Sequence, residues 1–167
     1  MSNQDNTLTM GIKVPTGFVQ RFEKELQKQI FDAQKALIYE LAYIGREAVN
    51  TIRQNHAYED QTGNLTSSVG YAIIVDGKIV QASDFTAIKP TAVEGSKVGR
   101  QMVNELASQY PQGITLIVVA GMNYAAYVER RGIGGMTGGE MYARQMVTTM
   151  LEQLESGINA YSFSSTK

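Results

Sequence analysis

The chain has 167 residues, of which 43% are hydrophobic and 19% are charged, and its formal net charge at pH 7 is -1. These values are ordinary for a globular protein of one domain, and no basic block is present that would bind nucleic acid tightly. The chain lacks cysteine, which excludes disulfides and thiolate metal sites. No apolar run approaches the roughly 20 residues of a membrane helix, and the polar N-terminus does not resemble a signal peptide.

The first element is predicted by a helical apolar repeat that runs from Phe18 to about Arg53. A helix of that length is about 54 Å long at 1.5 Å per residue, which exceeds what a domain of this size needs. We therefore expect part of it to pack on the protein's own sheet and part on a neighbouring molecule. Gly45 is a candidate bend. The apolar positions are Phe18, Phe22, Leu26, Ile30, Ala33, Leu37, Leu41, Ile44, Ala48 and Ile52.

Three strands are predicted after this helix. Residues 66–75 alternate small or polar side chains with larger apolar ones, which indicates a half-buried strand. Asp76-Gly77 predicts a two-residue hairpin turn, because both residues tolerate positive φ, and residues 78–82 are the expected return strand. The run at 114–120 is the most β-branched segment, so it is predicted to be the central strand.

Two further helices are predicted. The first lies in an insert at about 84–113, where a Thr91–Glu94 capping box precedes apolar residues at steps of four. The second covers about 139–156, with a possible capping box formed by Thr137 and Glu140. Its expected apolar face consists of Val147, Met150, Leu151, Leu154 and Ile158.

These elements predict the domain organisation and the fold class. Residues 1–17 are expected to form an extended arm, residues 18–156 a single domain, and residues 157–167 a polar tail. The fold class is α+β, with a small, mainly antiparallel sheet packed against a long N-terminal helix and a C-terminal helix.

Two features could suggest a chemical site, and a plainer interpretation is favoured for each. The glycine-rich run at 132–139 precedes a helix N-terminus, but it lacks the residues of a phosphate-binding loop. A loop that orders against a partner is the better interpretation. His56 is the single histidine, and no nucleophile or metal-ligand set accompanies it. We predict no catalytic residue, cofactor or metal site.

A compact aromatic and charged segment lies between the last strand and the last helix. Tyr124 and Tyr127 are three residues apart and share a face on a helical turn, where core packing explains them as well as a partner does. Glu129, Arg130 and Arg131 form a tight charge cluster, which suits an inter-subunit salt bridge or a solvated turn.

The order of two motifs resembles a known family. Residues 62–69, Thr-Gly-Asn-Leu-Thr-Ser-Ser-Val, open the hairpin after the long helix, and residues 124–129, Tyr-Ala-Ala-Tyr-Val-Glu, follow a strand. This order over about 18–156 resembles the neck and tail-completion family of tailed bacteriophages, also called head–tail joining or minor tail components. The insert at about 84–113 is longer than the hairpin connection usual in that family.

The resemblance implies a structural virion protein rather than an enzyme. Its expected partners are further copies in a ring of six or twelve, neighbouring portal or neck and tail proteins, and phage DNA that only passes through the lumen, with no membrane. Assembly would take place in the host bacterial cytoplasm. A small enzyme with an anionic ligand at the glycine-rich run, or a non-viral helical adaptor, are the alternatives. The expected subunit-interface residues are Phe18, Phe22, Leu26, Tyr124, Tyr127, Glu129, Arg130, Arg131, Gly134 and Gly135.

Overall fold

The computed structural model describes Gly11 and residues 13–164. The chain forms two compact units, residues 1–36 and residues 37–167, and the boundary falls inside the first helix. The elements are α1 (Phe18–Gln54), α2 (Asn64–Ser67), β1 (Val69–Val75), β2 (Lys78–Ala82), α3 (Val93–Ala107), β3 (Ile114–Ala120), α4 (Ala125–Arg130) and α5 (Met136–Ser164). The predicted α+β class is confirmed.

The predicted ends of the chain are only partly described. Most of the arm at 1–17 lies outside the described residues, and so do residues 165–167 of the predicted tail. The rest of that tail is helical, since α5 begins at Met136 and continues to Ser164. No proline interrupts this stretch, and a polar composition alone does not end a helix.

The sheet is antiparallel, with the strand order β2-β1-β3. The prediction that 114–120 forms the central strand is therefore wrong, because β1 takes that place. The prediction that β1 is half-buried is also wrong, since its first six residues are buried. It begins at Val69 rather than Thr66, because residues 64–67 form the single turn of α2.

One face of the sheet packs on the C-terminal half of α1 and on α5. Tyr71 and Ile73 of β1 join a core cluster with residues of α1, and Met136 and Val147 of α5 pack against it. At Gly45, a Cβ would lie 2.7 Å from the Tyr71 ring, so this glycine permits close helix–sheet contact. It lies inside one continuous helix, and its buried position explains it better than a bend does.

The opposite face packs on α3 and on Phe85, which is almost fully buried. Ala72 and Ile74 of β1 belong to this second cluster, together with Ile117 of β3. Both faces of β1 are therefore covered, because small residues on one side admit the Phe85 ring and the larger residues on the other side meet α1.

The hairpin turn is formed by neighbouring residues, whereas the start of α3 is held by contacts with distant residues. The Asp76-Gly77 turn is confirmed, with φ values of 48° and 79°. The capping box predicted at Thr91 and Glu94 is wrong, because Ala92 occupies the N-cap of α3 without a side-chain hydrogen bond. The Thr91 hydroxyl instead donates to the carbonyl oxygen of Thr62 at 2.8 Å.

Candidate interaction surface

The two motifs of the sequence meet in space. They line one cleft of about 250 Å³, which brings the segment after α1 against the start of α4. Two motifs about sixty residues apart therefore form a single structural feature. The cleft is lined by Tyr58, Glu59, Asp60, Gln61, Thr62, Leu65, Tyr124 and Val128.

Asp60 organises the first motif. Its Oδ1 accepts the N–H of Gly63 at 2.9 Å, and its Oδ2 accepts the N–H of Thr66 at 2.8 Å. Gly63 has a φ of 78°, a value that glycine adopts without strain. The carboxylate thus binds backbone donors that the short helix α2 leaves free, and this contact sets the chain direction into β1.

Two tyrosines line the cleft beside this carboxylate. Burial raises the pKa of Tyr124, and the charge of Asp60 raises it further. Burial is also the largest cause of the raised pKa of Tyr58, whose hydroxyl lies 3.4 Å from the Thr66 hydroxyl. Both phenols are therefore protonated at neutral pH. His56 stacks on Tyr58 at 4.0 Å, and its Nδ1 lies 3.0 Å from the Tyr58 carbonyl oxygen.

Glu129 of the second motif caps α5. Its Oε2 accepts the N–H of Met136 at 3.0 Å, and its Oε1 accepts the N–H of Thr137 at 2.8 Å and the Thr137 hydroxyl. Burial raises the pKa of Glu129, but these hydrogen bonds outweigh burial and hold the pKa below its ordinary value. The predicted Thr137–Glu140 capping box is wrong, because Glu140 pairs with Arg144 instead.

Three glycines of the glycine-rich run, Gly134, Gly135 and Gly139, are packed against the rest of the protein. At Gly135, a Cβ would lie 2.5 Å from the carbonyl oxygen of Ile52, and at Gly134 it would overlap the Glu129 carboxylate. Gly139 lies inside α5 and packs on Ile52 as well. The N–H groups that an anionic ligand would need at this helix start already bind Glu129.

The predicted interface residues in this region therefore divide into two groups. Glu129, Gly134 and Gly135 make internal contacts at the start of α5. Tyr124, Tyr127, Arg130 and Arg131 are exposed at α4 and its end. Arg131 donates to the Tyr127 hydroxyl at 2.7 Å and lies over the Tyr127 ring. Across the described residues, Arg130 and Arg131 have no carboxylate within ion-pair distance, so both cations are available to a partner.

The N-terminal half of α1 carries the other predicted interface residues. Phe18, Phe22 and Leu26 are exposed, as is Ile30, with exposed fractions between 46% and 60%. The Phe18 and Phe22 rings stack at 6.2 Å. These four residues recur at steps of four, so they form one apolar stripe along the helix. We call them the α1 stripe.

A groove of about 670 Å³ lies on the other compact unit, between β3 and α5. Leu116 and Val118 of β3, Leu41 of α1, and Met136 and Val147 of α5 are among its lining residues. Their side chains are mainly apolar, and the groove follows the edge strand of the sheet. Sequence patterns did not reveal it, because it arises from residues on three separate elements.

Sequence patterns also gave no indication that Arg53 makes a partly buried contact with β1. Its guanidinium donates to the Val69 carbonyl oxygen at 2.8 Å, while its Nε is buried without a hydrogen-bond partner. Burial lowers the pKa of Arg53, and the charge of Asp84 opposes that effect. No sequence pattern signals this role, because an arginine near a helix end is most often solvated.

The comparisons with known proteins found no match to this chain. No family model matches the chain, and neither a curated protein nor a solved structure matches it. Within the described residues, no helix is long and apolar enough to cross a membrane. In the same part of the chain, no three residues of the metal-ligating types His, Cys, Asp and Glu cluster to hold a metal ion.

Proposed function

We propose that this protein is a structural component of a tailed bacteriophage that forms a ring in the neck or upper tail, between the portal side of the head and the tail. The observation that carries the proposal is the α1 stripe. Four large apolar side chains repeat along one helix face and are exposed in the single chain. A contiguous apolar stripe of this kind marks a surface that a partner covers.

The sequence and the charge pattern support the same function. The order of the two motifs resembles the neck and tail-completion family, and both motifs fold into one feature around the cleft. The formal net charge of -1 suits a lumen through which DNA passes without binding. A ring needs only one pair of complementary surfaces, because cyclic symmetry repeats the same contact until it closes.

The test is the oligomeric state of the full chain. We expect native mass spectrometry and negative-stain electron microscopy to show a closed ring of six or twelve copies. The double variant Phe22→Glu/Leu26→Glu should reduce the assembled fraction at least tenfold, because it places two charges in the α1 stripe.

A matched control uses the opposite face of the same helix. Gln20→Glu/Gln27→Glu adds the same charge at exposed positions outside the stripe, and it should leave assembly unchanged. A full chain that stays monomeric at tens of micromolar would refute the ring proposal. A stable dimer that is lost on deleting residues 18–30 would instead favour a helical adaptor.

A further inference from the structure

The two edges of the sheet differ in their protection against strand pairing. At one edge, β2 has five residues, carries exposed Lys78 and Gln81, and pairs with β1 through a register shift between Ile73 and Ile74. At the other edge, β3 has seven residues, Ile-Thr-Leu-Ile-Val-Val-Ala, with no charge and no proline. Charges, shortness and bulges are the usual means of protecting an edge. Only the β2 edge has them.

Within Gly11 and residues 13–164, no strand pairs with the outer edge of β3, and this free edge lies beside the apolar groove. Leu116 and Val118 line the groove and lie on the face of the sheet that packs on α1. A strand added to β3 would place every second side chain on this same face. Three successive side chains on that face would follow the groove along the strand. The groove and the open backbone edge therefore form one site for an extended apolar segment.

The chain itself contains a segment with the matching pattern. Residues 7–14 read Thr-Leu-Thr-Met-Gly-Ile-Lys-Val, so an apolar residue stands at every second position. The segment is about as long as β3 and contains no acidic residue, and Pro15 follows it directly. At its C-terminal end, Val14 is 57% exposed and lies outside any strand. This alternation is that of a strand with one buried face.

We propose that residues 7–14 of one copy add as a strand to the free edge of β3 in the neighbouring copy, with Leu8, Met10 and Ile12 in the groove. This inference rests on the proposed function, because the strand and its acceptor come from two copies. Strand addition supplies backbone hydrogen bonds along β3, and the groove supplies specificity for the alternate side chains. In a ring, this contact would link each subunit to the next.

Cysteine cross-linking tests the contact directly, since the native chain has no cysteine. Thr115 borders the groove, but it pairs with Ile74, whose side chain belongs to the cluster on α3, so the Thr115 side chain is directed to that face of the sheet. Thr7 and Thr9 would lie on that same face when Leu8 and Met10 enter the groove. Cross-strand neighbours on one face approach closely enough for a disulfide.

The experiment mixes two single-cysteine proteins under mild oxidation. We expect Thr7→Cys or Thr9→Cys to form a heterodimer with Thr115→Cys in at least fivefold excess over either homodimer. The matched control replaces the acceptor with Ala82→Cys, which lies at the other edge of the sheet and pairs with Ala72 of the face on α3, and it should give no excess. An equal yield from both acceptors would overturn the inference. A Thr9→Cys/Thr115→Cys chain that closes mainly on itself would overturn it as well.

A deletion variant and a peptide separate this inference from the ring proposal. Removing residues 1–12 should weaken assembly at least tenfold, and a synthetic peptide of residues 5–15 should bind the shortened chain, as measured by fluorescence anisotropy. If the shortened chain forms the same rings and the cross-link is absent, strand addition is refuted and the ring stands. If the full chain forms no ring but the peptide binds at β3, the ring proposal is refuted and the acceptor site stands.

Discussion

Two adjacent glycines in the first turns of α5 provide a test of how this helix packs. A Cβ added at Gly138 would have open space around it, with no atom within 4 Å. A Cβ at Gly139 would instead overlap Ile52 Cγ1 and lie 2.6 Å from Ile52 Cδ1 and 3.1 Å from the Ala48 carbonyl oxygen. Gly138→Ala and Gly139→Ala make the same chemical change at neighbouring positions of one helix. Only the second forces a methyl group into the contact with α1.

The expected changes in the free energy of unfolding have opposite signs for the two variants. Replacing glycine with alanine inside a helix stabilises it by about 0.5–1 kcal/mol. At Gly139 this gain is opposed by overpacking, which costs about 1–3 kcal/mol in a filled core. Ile52 is buried and the Ala48 carbonyl belongs to the helix backbone, so neither has free space to move into. We expect Gly138→Ala to be more stable than Gly139→Ala by about 2 kcal/mol.

Thermal and urea unfolding measure this difference. In a protein of this size it corresponds to a separation of about 4–8 °C in Tm. Ile52→Ala removes both Ile52 atoms that the added Cβ would meet, so the Ile52→Ala/Gly139→Ala double variant should lose less stability than the sum of the two single variants. If Gly139→Ala melts at or above Gly138→Ala, the close packing of α5 on α1 is refuted.

Three further substitutions test the polar contacts. Glu129→Gln should lower the free energy of unfolding, measured by urea denaturation, by about 1–2 kcal/mol. Burial raises the pKa of Glu129 and hydrogen bonds lower it by more, so its stabilisation is complete above the unfolded-state pKa and is lost as pH falls through the folded pKa. An unchanged acid dependence in Glu129→Gln would contradict this. Asp60→Asn should lower the pKa of Tyr124 in an alkaline absorbance titration, and an unaltered curve would refute the coupling. Arg53→Met removes the side-chain donor to the Val69 carbonyl oxygen, so it should lower the free energy of unfolding in urea by about 1–3 kcal/mol. Wild-type stability in this variant would refute a stabilising role for the Arg53 hydrogen bond.

Local patterns predicted the elements well, and the order of the strands poorly. The helical repeat, the Asp76-Gly77 turn and the β-branched run at 114–120 each depend on neighbouring residues, and all three predictions are confirmed. The central strand was assigned to the most β-branched run, at 114–120. β1 holds that place because it pairs with both β2 and β3, and Gly70 leaves room over one face of it for the Phe85 ring, which comes from a loop after the hairpin. A pattern of small residues does not reveal such a distant side chain.

Both predicted capping boxes were wrong for a related reason. A capping box is recognised from residues three positions apart, but the starts of α3 and α5 bind side chains from other elements. Asn64 Oδ1 accepts the N–H of Gly95, and Glu129 accepts the N–H groups at the start of α5. These contacts form only after the chain folds, so no short window of sequence contains both partners.

The same contacts change what the family resemblance can be taken to mean. Asp60, two residues before the first motif, binds backbone N–H groups of that motif, and Glu129 of the second motif caps α5. The motifs therefore stabilise the fold, and a chain with these helices would need them whether or not it assembled. Evidence for assembly must come from surfaces that the motifs do not contain. The α1 stripe and the free edge of β3 are such surfaces, and each is apolar where an isolated domain would carry charge. They lie on different elements and share no residue. If both hold neighbouring copies, substitutions at the two surfaces should weaken assembly additively.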